Sequence, residues 1–429
     1  MPRKPKAPAA APSSPASAPA ALPLPDRAPA PAAAPAAPAR GVRVAFVADV
    51  HVGVPRWCGG PVEVGLNRRG RRVVDLLRAA VERAAALGCA AFVVCGDLFD
   101  TSSPSPQVVA AVGRALTAAS FPCGVHLLTG NHDIVSDARG DHALAPLALM
   151  PGITVHEAPA WVHVTPAAPW DDPGVQVLLL PFRSGDSKVR LHDDVHATVP
   201  PALPCPRVIA LHAGIIDAVT PLHLRNAPDA LPLQQTAALA RTAGACAVFA
   251  GNWHDRRTWE VVGDDGGHPV EVQQVGALVP TDFRNPGLEG FGTLGLWSSQ
   301  FGATFEVLPG PRFLTVHSRE GFDRAVNAAR STHSDCPLFV RWVAHPHDFA
   351  DAVDAMREET TLGVFAGGDV VPVADAARAD VRAAVANVQK PGNLRIAVQQ
   401  FMDALPDIDE PARGRVADIV FTYLNLRGA

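Results

Sequence analysis

Five short segments of this 429-residue chain place carboxylate, imidazole and carboxamide side chains directly after apolar runs. They are Asp49-Val50-His51, Gly96-Asp97-Leu98-Phe99-Asp100, Gly130-Asn131-His132-Asp133, Leu211-His212-Ala213-Gly214 and Gly251-Asn252-Trp253-His254. Oxygen and nitrogen donors without a thiolate suit borderline-hard divalent ions such as Mn, Fe or Zn, and imidazole makes Mg or Ca alone a poor match. One carboxylate can bridge two ions about 3.5–4 Å apart, and such a pair clamps a phosphate and lowers the pKa of a shared water. The chemistry on offer is attack of hydroxide on phosphorus.

To act together these groups must meet at one edge of a sheet, and the flanking pattern supplies it. Val42 to Ala48 reads as a buried strand. A helix follows from Leu66 to Leu87, with Val73, Leu77, Val81 and Ala84 at helical spacing and Gly88 as its stop. Strand Ala90–Cys95, helix Pro106–Ala119 and strand Gly124–Thr129 continue the alternation, which implies a mostly parallel sheet whose strand ends carry the site. Val175–Leu180, Val208–Leu211 and Ala245–Ala250 read as strands and Leu233–Thr242 as a helix. Trp259–Val262, Val270–Gln273, Thr293–Trp297 and Ala303–Leu308 suggest antiparallel hairpins. The expected fold is α/β, a two-sheet α/β sandwich over residues 41–310. A small α+β unit is expected over 311–390, with strands at Phe313–Val316 and Leu338–Val343 and helices at Phe322–Arg330 and Phe349–Glu358. Terminal helices over 391–429, near Leu394–Leu405 and Pro411–Leu424, would close the chain.

Composition narrows the class. The first 40 residues hold 12 Pro and 16 Ala, too monotonous for a packed core, and read as a disordered or polyproline-like tail. That tail has a net charge of +4 and the remaining 389 residues −9, which argues against nucleic-acid binding through a diffuse basic surface but leaves room for positive charge supplied by metal ions. No window reaches about 18 continuous apolar residues, so no membrane span is expected. The tail lacks the apolar centre of a signal peptide, and a soluble cytoplasmic protein is the expectation. The seven Cys are scattered without a C-x-x-C pair and read as reduced core thiols.

In order and form, Asp49-Val50-His51, Gly96-Asp97-Leu98-Phe99-Asp100, Gly130-Asn131-His132-Asp133, His212 and the Gly251–His254 ending resemble the calcineurin-like metallophosphoesterases. Within them the chain looks most similar to SbcD-type DNA repair nuclease subunits of bacteria and phage. Val275-Gly276-Ala277-Leu278, with Phe283 and Glu289 beyond, is similar to the segment after that family's last ligand. The resemblance implies that Asp49, His51, Asp97 and His254 hold one ion. It implies that Asp97, Asn131, His212 and Asn252 hold a second, with Asp97 bridging. His132 would face the scissile phosphate as acid or charge stabiliser, Asp133 would orient it, and Asp100 would stand behind the ligands. The family's usual Gly-His-x-His reads Gly251-Asn252-Trp253-His254 here, so the second ion loses an imidazole and keeps a carboxamide oxygen.

Each segment taken alone has an ordinary explanation as a turn, cap or core histidine; their joint occurrence after five strands is what carries the expectation. His126, His142, His156 and His163 lack that context and read as structural, and the Trp57–Cys58 neighbourhood reads as a surface loop. The resemblance implies two divalent ions, most simply Mn, with Fe, Zn or Mg as alternatives. It further implies a DNA substrate cut by exonuclease and endonuclease action, an SbcC-like coiled-coil ATPase partner, and compatibility with a homodimer. A stand-alone metallophosphoesterase on nucleotides or phosphomonoesters, or a catalytically weak DNA-end or ATPase adaptor, are the alternatives.

Overall fold

The computed structural model describes residues 41–373 apart from 56–57, 137, 167–171, 221–223, 264–267, 282–291 and 332–336. The expected tail, Trp57, Cys336, Phe283, Glu289 and the helices beyond residue 390 lie outside the described residues. All described elements belong to one unit, Pro38–Ala429.

Alternation within the first strand shows how the layers form. In β1 (Arg43–Val47), Ala45 and Val47 point into one apolar cluster while Val44, Phe46 and then Ala48 point into another. The two sets lie on opposite faces because successive side chains in a strand alternate. The first cluster packs against α1 (Arg68–Ala86) and α2 (Pro106–Leu116), whose buried residues include Val73, Leu77, Val81, Val112 and Leu116. Asn67 caps α1 by accepting the Gly70 N–H at 2.8 Å, and Ser105 caps α2 with Pro106 following it. The second cluster lies between two sheets, where Phe46 stacks on Phe249 with ring centroids 3.9 Å apart.

The first sheet runs β14-β13-β1-β2-β3-β4, with β2 (Ala91–Val94), β3 (Val125–Leu128) and β4 (Ile153–His156) parallel to β1. The hairpin β13 (Thr293–Ser298) and β14 (Gly302–Val307) adds antiparallel strands at its edge. The second sheet runs β11-β12-β10-β7-β6-β5. Its β6 (Val175–Leu180), β7 (Arg207–His212), β10 (Ala247–Gly251) and β12 (Val270–Gln274) are parallel. β5 (Ala160–Val164) and β11 (Arg257–Val261) flank them antiparallel. The hairpins expected after the α/β part are therefore divided between the sheets, and β12 also pairs in parallel with β10. Helices α3 (Ser187–Ala197) and α4 (Leu233–Ala243) cover the outer face of the second sheet. The two-sheet sandwich expectation holds, as helix, sheet, sheet and helix layers. A short ladder, β8 (Gly214–Ile216) with β9 (Ala230–Pro232), follows β7.

The C-terminal unit, expected as α+β, is in its described part a parallel sheet: β15 (Arg312–Val316), β16 (Leu338–Ala344) and β17 (Gly367–Pro372), joined through α5 (Arg319–Ser331) and α6 (Phe349–Thr361). The crossover helices make that pairing parallel, and β17 completes a sheet that two strands alone could not stabilise. Phe313 and Phe339, stacked at 5.2 Å, join the cluster under α1. Cys58 is not on a surface loop: it is 4% exposed, with its backbone N–H on Asp369 and its thiol on the Val340 carbonyl at 3.5 Å. Cys58, Cys89 and Cys95 are buried free thiols as expected, whereas Cys246 is exposed.

Candidate metal centre

Because β1, β2, β3, β7 and β10 run parallel within their sheets, the residues after each emerge on one rim. The segments after β1 and β2 continue side by side: the N–H groups of Asp49, His51 and Val52 donate to the carbonyls of Gly96, Asp97 and Leu98 at 3.2, 3.0 and 2.9 Å. Four of the site residues turn through left-handed backbone, Asp49 and His51 at φ 48°, Asp97 at 50° and Asn252 at 83°. Non-glycine residues in that region cost on the order of 1 kcal/mol each and cluster at functional sites. Gly130 admits no side chain, since a Cβ there would lie 2.1 Å from both the backbone N and Oδ1 of Asp97. Gly276, at φ +77°, lets Ala277 donate to the His254 carbonyl while Leu278 donates to Ala48, tying the His254 loop to the end of β1.

Around that rim the expected ligands converge. Asp49, His51 and His254 bring one donor atom each within 4.8 Å of one another, as do Asp49, Asp97 and His212, and His51, Asp100 and His132. Asp97 Oδ2 lies between the groups, 3.7 Å from His51 Nε2 and 3.5 Å from His212 Nε2. His51 Nε2 stands 3.1 Å from His254 Nε2. Asn131 Oδ1 is 2.9 Å from His212 Nε2. Asp49 and Asp97 are buried, at 0% and 1% exposure, while His132 is exposed at the mouth.

The donor set fits divalent cations for a specific reason. His212 Nδ1 faces the Cys95 carbonyl at 2.7 Å, so it carries the proton, and in a neutral ring Nε2 is left with a lone pair. That lone pair confronts two further acceptors, Asn131 Oδ1 and Asp97 Oδ2. A cation among three acceptors removes the conflict. With protein groups alone the conflict is met by protonation. His212 rises to about 9, burial opposing and the Asp97 charge prevailing. Asp49 is pushed up to about 8, chiefly by burial, with His212 opposing and Asp97 adding to the rise. Burial also raises Asp97, but the His212 charge and hydrogen bond outweigh it and hold the carboxyl below its ordinary range. Burial holds His51 down, in the neutral form a ligand needs.

The structure corrects one role. Asp133 does not orient His132: its buried carboxylate accepts the backbone N–H groups of Gly130, Phe99 and Leu98 at 2.9, 3.0 and 3.3 Å, bracing the β2 and β3 loops together. His132 is held instead by its own N–H on Asp97 Oδ1 at 2.9 Å and by Nδ1 on the Asp100 carbonyl at 3.2 Å. Asp100 Oδ1 lies 3.6 Å from His51 Nδ1. Asn252 reaches the site through its backbone N–H, which donates to both Asp49 oxygens at 2.9 and 3.0 Å. Its Nδ2 donates to the carbonyl and Oδ2 of Asp229, each at 3.0 Å, leaving Oδ1 as the amide's acceptor.

Sequence reasoning missed Asp229, Thr281 and Arg69. Thr281 Oγ1 lies 3.0 Å from His254 Nδ1, and buried Arg69 donates to the carbonyls of Pro280 and Thr281 at 2.8 and 2.6 Å. Arg69 also lies under Phe313, 4.6 Å from the ring centroid, which links the C-terminal unit to a ligand's outer nitrogen. The available signal was an Arg on the apolar side of α1.

This rim of buried carboxylates and imidazoles after parallel strands is where a phosphoesterase would hold its ions. Residues 42–236 match the calcineurin-like phosphoesterase family. The matched segment spans the candidate ligands from Asp49 to His212, and Asn252 and His254 follow it. The match and the donor clusters together support a metal-dependent phosphoesterase with a dinuclear site. Among solved structures, a dimetal phosphatase from Danio rerio is similar at a TM-score of 0.34 and 14% identity, over 62% of this chain and 99% of that one. No curated protein matches the chain. Among the described residues no helix is long and apolar enough to cross a membrane.

Proposed function

We propose that the chain is a dinuclear-metal phosphodiesterase that hydrolyses DNA as a nuclease subunit of the DNA repair or recombination type, with Mn as its ions and a coiled-coil ATPase as its partner. The observation that carries the reading is Asp97 Oδ2, a buried carboxylate oxygen set between the imidazoles of His51 and His212. Asp49, His51 and His254 would complete one ion's shell, and Asn131, His212 and the Asn252 amide oxygen the other's. Two divalent ions there supply a water of lowered pKa and positive charge against a phosphate.

The chain's own residues do the rest. Asp133 and the Asn252 N–H hold the loops that carry Asp97 and Asp49. His132 commits Nδ1 to the Asp100 carbonyl, so Nε2 is the ring nitrogen that can hand a proton to a leaving oxygen at the exposed mouth. The DNA reading is supported by the Gly-Asp-Leu-Phe-Asp form of the second segment and by a C-terminal unit docked on the loop that leaves His51.

Purified chain with Mn, given a labelled duplex and bis(4-nitrophenyl) phosphate, tests this. Both are expected to be cleaved, and His132→Ala should lose roughly 100-fold or more of the cleavage while still binding Mn. Hydrolysis of the aryl diester with no cleavage of DNA, with or without an ATPase partner, would leave a small-phosphoester enzyme in place of a nuclease. Mn binding without hydrolysis of either would leave an adaptor.

A further inference from the structure

The rim that carries the ligands continues past β3 to the ends of β4 and β6, where the structure holds a second concavity of about 520 Å³. It adjoins the metal centre through two residues. Thr129 immediately precedes Gly130, and Phe182 stands edge-on to His212 with centroids 6.2 Å apart. The Phe182 N–H donates to the Thr129 carbonyl at 2.8 Å, which joins the two across this wall. The volume falls within the range of pockets that enclose small organic ligands.

Its polar lining sets imidazoles and a carboxylate beside two arginines, Arg139 and Arg183. His126 Nε2 faces the Cys123 carbonyl at 2.9 Å and must donate there, so its Nδ1 accepts from His156 Nε2 at 3.1 Å, which leaves His156 Nδ1 with a lone pair. His142, its side chain 5% exposed, brings Nε2 to 3.4 Å from Glu157 Oε1, and both of its ring nitrogens are buried without a hydrogen-bond partner. Glu157 is itself fixed by the Gly140 N–H at 2.7 Å. The His156 lone pair and the Glu157 carboxylate complement the amino and imide N–H groups of a nucleobase, while Arg183, which also lines the cavity, is ion-paired to Asp194. Arg139, at the exposed lip, is placed for an anion outside.

We propose that this cavity is the subsite for the nucleoside attached to the scissile phosphate, its base against His156 and Glu157 and its outer phosphate against Arg139. The proposal rests on the phosphodiesterase reading and adds what the metal centre cannot supply, a preference for a nucleoside on one side of the ester.

Two diesters with the same leaving group isolate it: 4-nitrophenyl thymidine 5′-phosphate and bis(4-nitrophenyl) phosphate. Ala158 is exposed and lines the cavity, so Ala158→Trp fills the space from outside the core. It should raise KM for the thymidine ester about tenfold and leave the bis-aryl ester unchanged, with an unaltered thermal melt. Calorimetric titration of thymidine 5′-monophosphate into the metal-free chain should weaken by the same factor in Ala158→Trp and in Glu157→Gln. Equal effects on both esters, or nucleotide binding indifferent to both substitutions, would overturn the subsite while aryl hydrolysis kept the phosphodiesterase reading intact. Nucleotide binding sensitive to Ala158→Trp without hydrolysis of either ester would overturn the phosphodiesterase reading and keep the subsite.

Discussion

Two pairs of imidazoles in this protein stand equally close and mean different things. His51 and His254 bring their Nε2 atoms to 3.1 Å, and His126 and His156 bring Nδ1 and Nε2 to the same 3.1 Å. The second pair is a directed chain of hydrogen bonds ending on the Cys123 carbonyl, and among the described residues neither ring makes an ion pair with a carboxylate. The first pair lies against Asp49 and Asp97, and His254 has its outer nitrogen on Thr281. Distance between imidazoles is therefore uninformative by itself; buried carboxylates beside them turn a satisfied pair into a cation site.

Removing the shared carboxylate should break the contrast most severely. Asp97→Asn is expected to cut bound Mn from two ions to one or fewer, read by electron paramagnetic resonance. It should lower phosphodiester hydrolysis by more than the roughly 100-fold typical when an outer partner of a ligand is lost. Retention of both ions would end the bridging assignment.

Acid should expose the other pair. Burial and the neighbouring His126 hold His156 down to about 4, and burial lowers His126 as well. The unfolded chain, with ordinary imidazoles near 6.5, takes up protons first, so the stabilisation is complete above about pH 6.5 and is lost as pH falls towards 4. Urea unfolding at pH 7 and pH 5, compared with His156→Asn, should show the pair contributing a loss on the order of 2 kcal/mol. His156→Asn should flatten this slope; an unchanged slope would mean that the pair is not held neutral.

Smaller effects sharpen the first pair. Thr281→Val should weaken Mn binding about tenfold by freeing the His254 ring, and Thr281→Ser should restore it. Asn252→Ala keeps the backbone N–H on Asp49 and loses only the amide, so less than a tenfold loss of the second ion is expected by calorimetry. A loss as large as that of Asp97→Asn would place the carboxamide among the principal ligands.

Much of this was legible because a parallel sheet converts order along the chain into position along a rim. The strand expected at Val175–Leu180 appears with those bounds, and the helix expected over Leu66–Leu87 forms over Arg68–Ala86. Less legible were α3, whose sequence SKVRLHDDVHA buries only Ser187, Leu191, Asp194 and Val195 and so carries weak periodicity, and the short β17 in a glycine-led stretch. The role of Asp133 was misread because adjacency to His132 suggested a partner. Its carboxylate faces backbone N–H groups more than thirty residues away in sequence, Leu98 and Phe99, which no local pattern reveals.

The amino-acid sequence by itself determined the donor types, their order and the strands that precede them, because alternating apolar runs and glycine stops are local properties of a chain. Only the tertiary structure decided which oxygen lies between which imidazoles, that Asp133 braces loops, and that Thr281 and Arg69 stand behind His254. It alone decided that a second cavity continues the same rim. Those are distances between groups far apart in the chain, set by how two sheets twist and stack, and they become fixed only when the core between Phe46 and Phe249 closes.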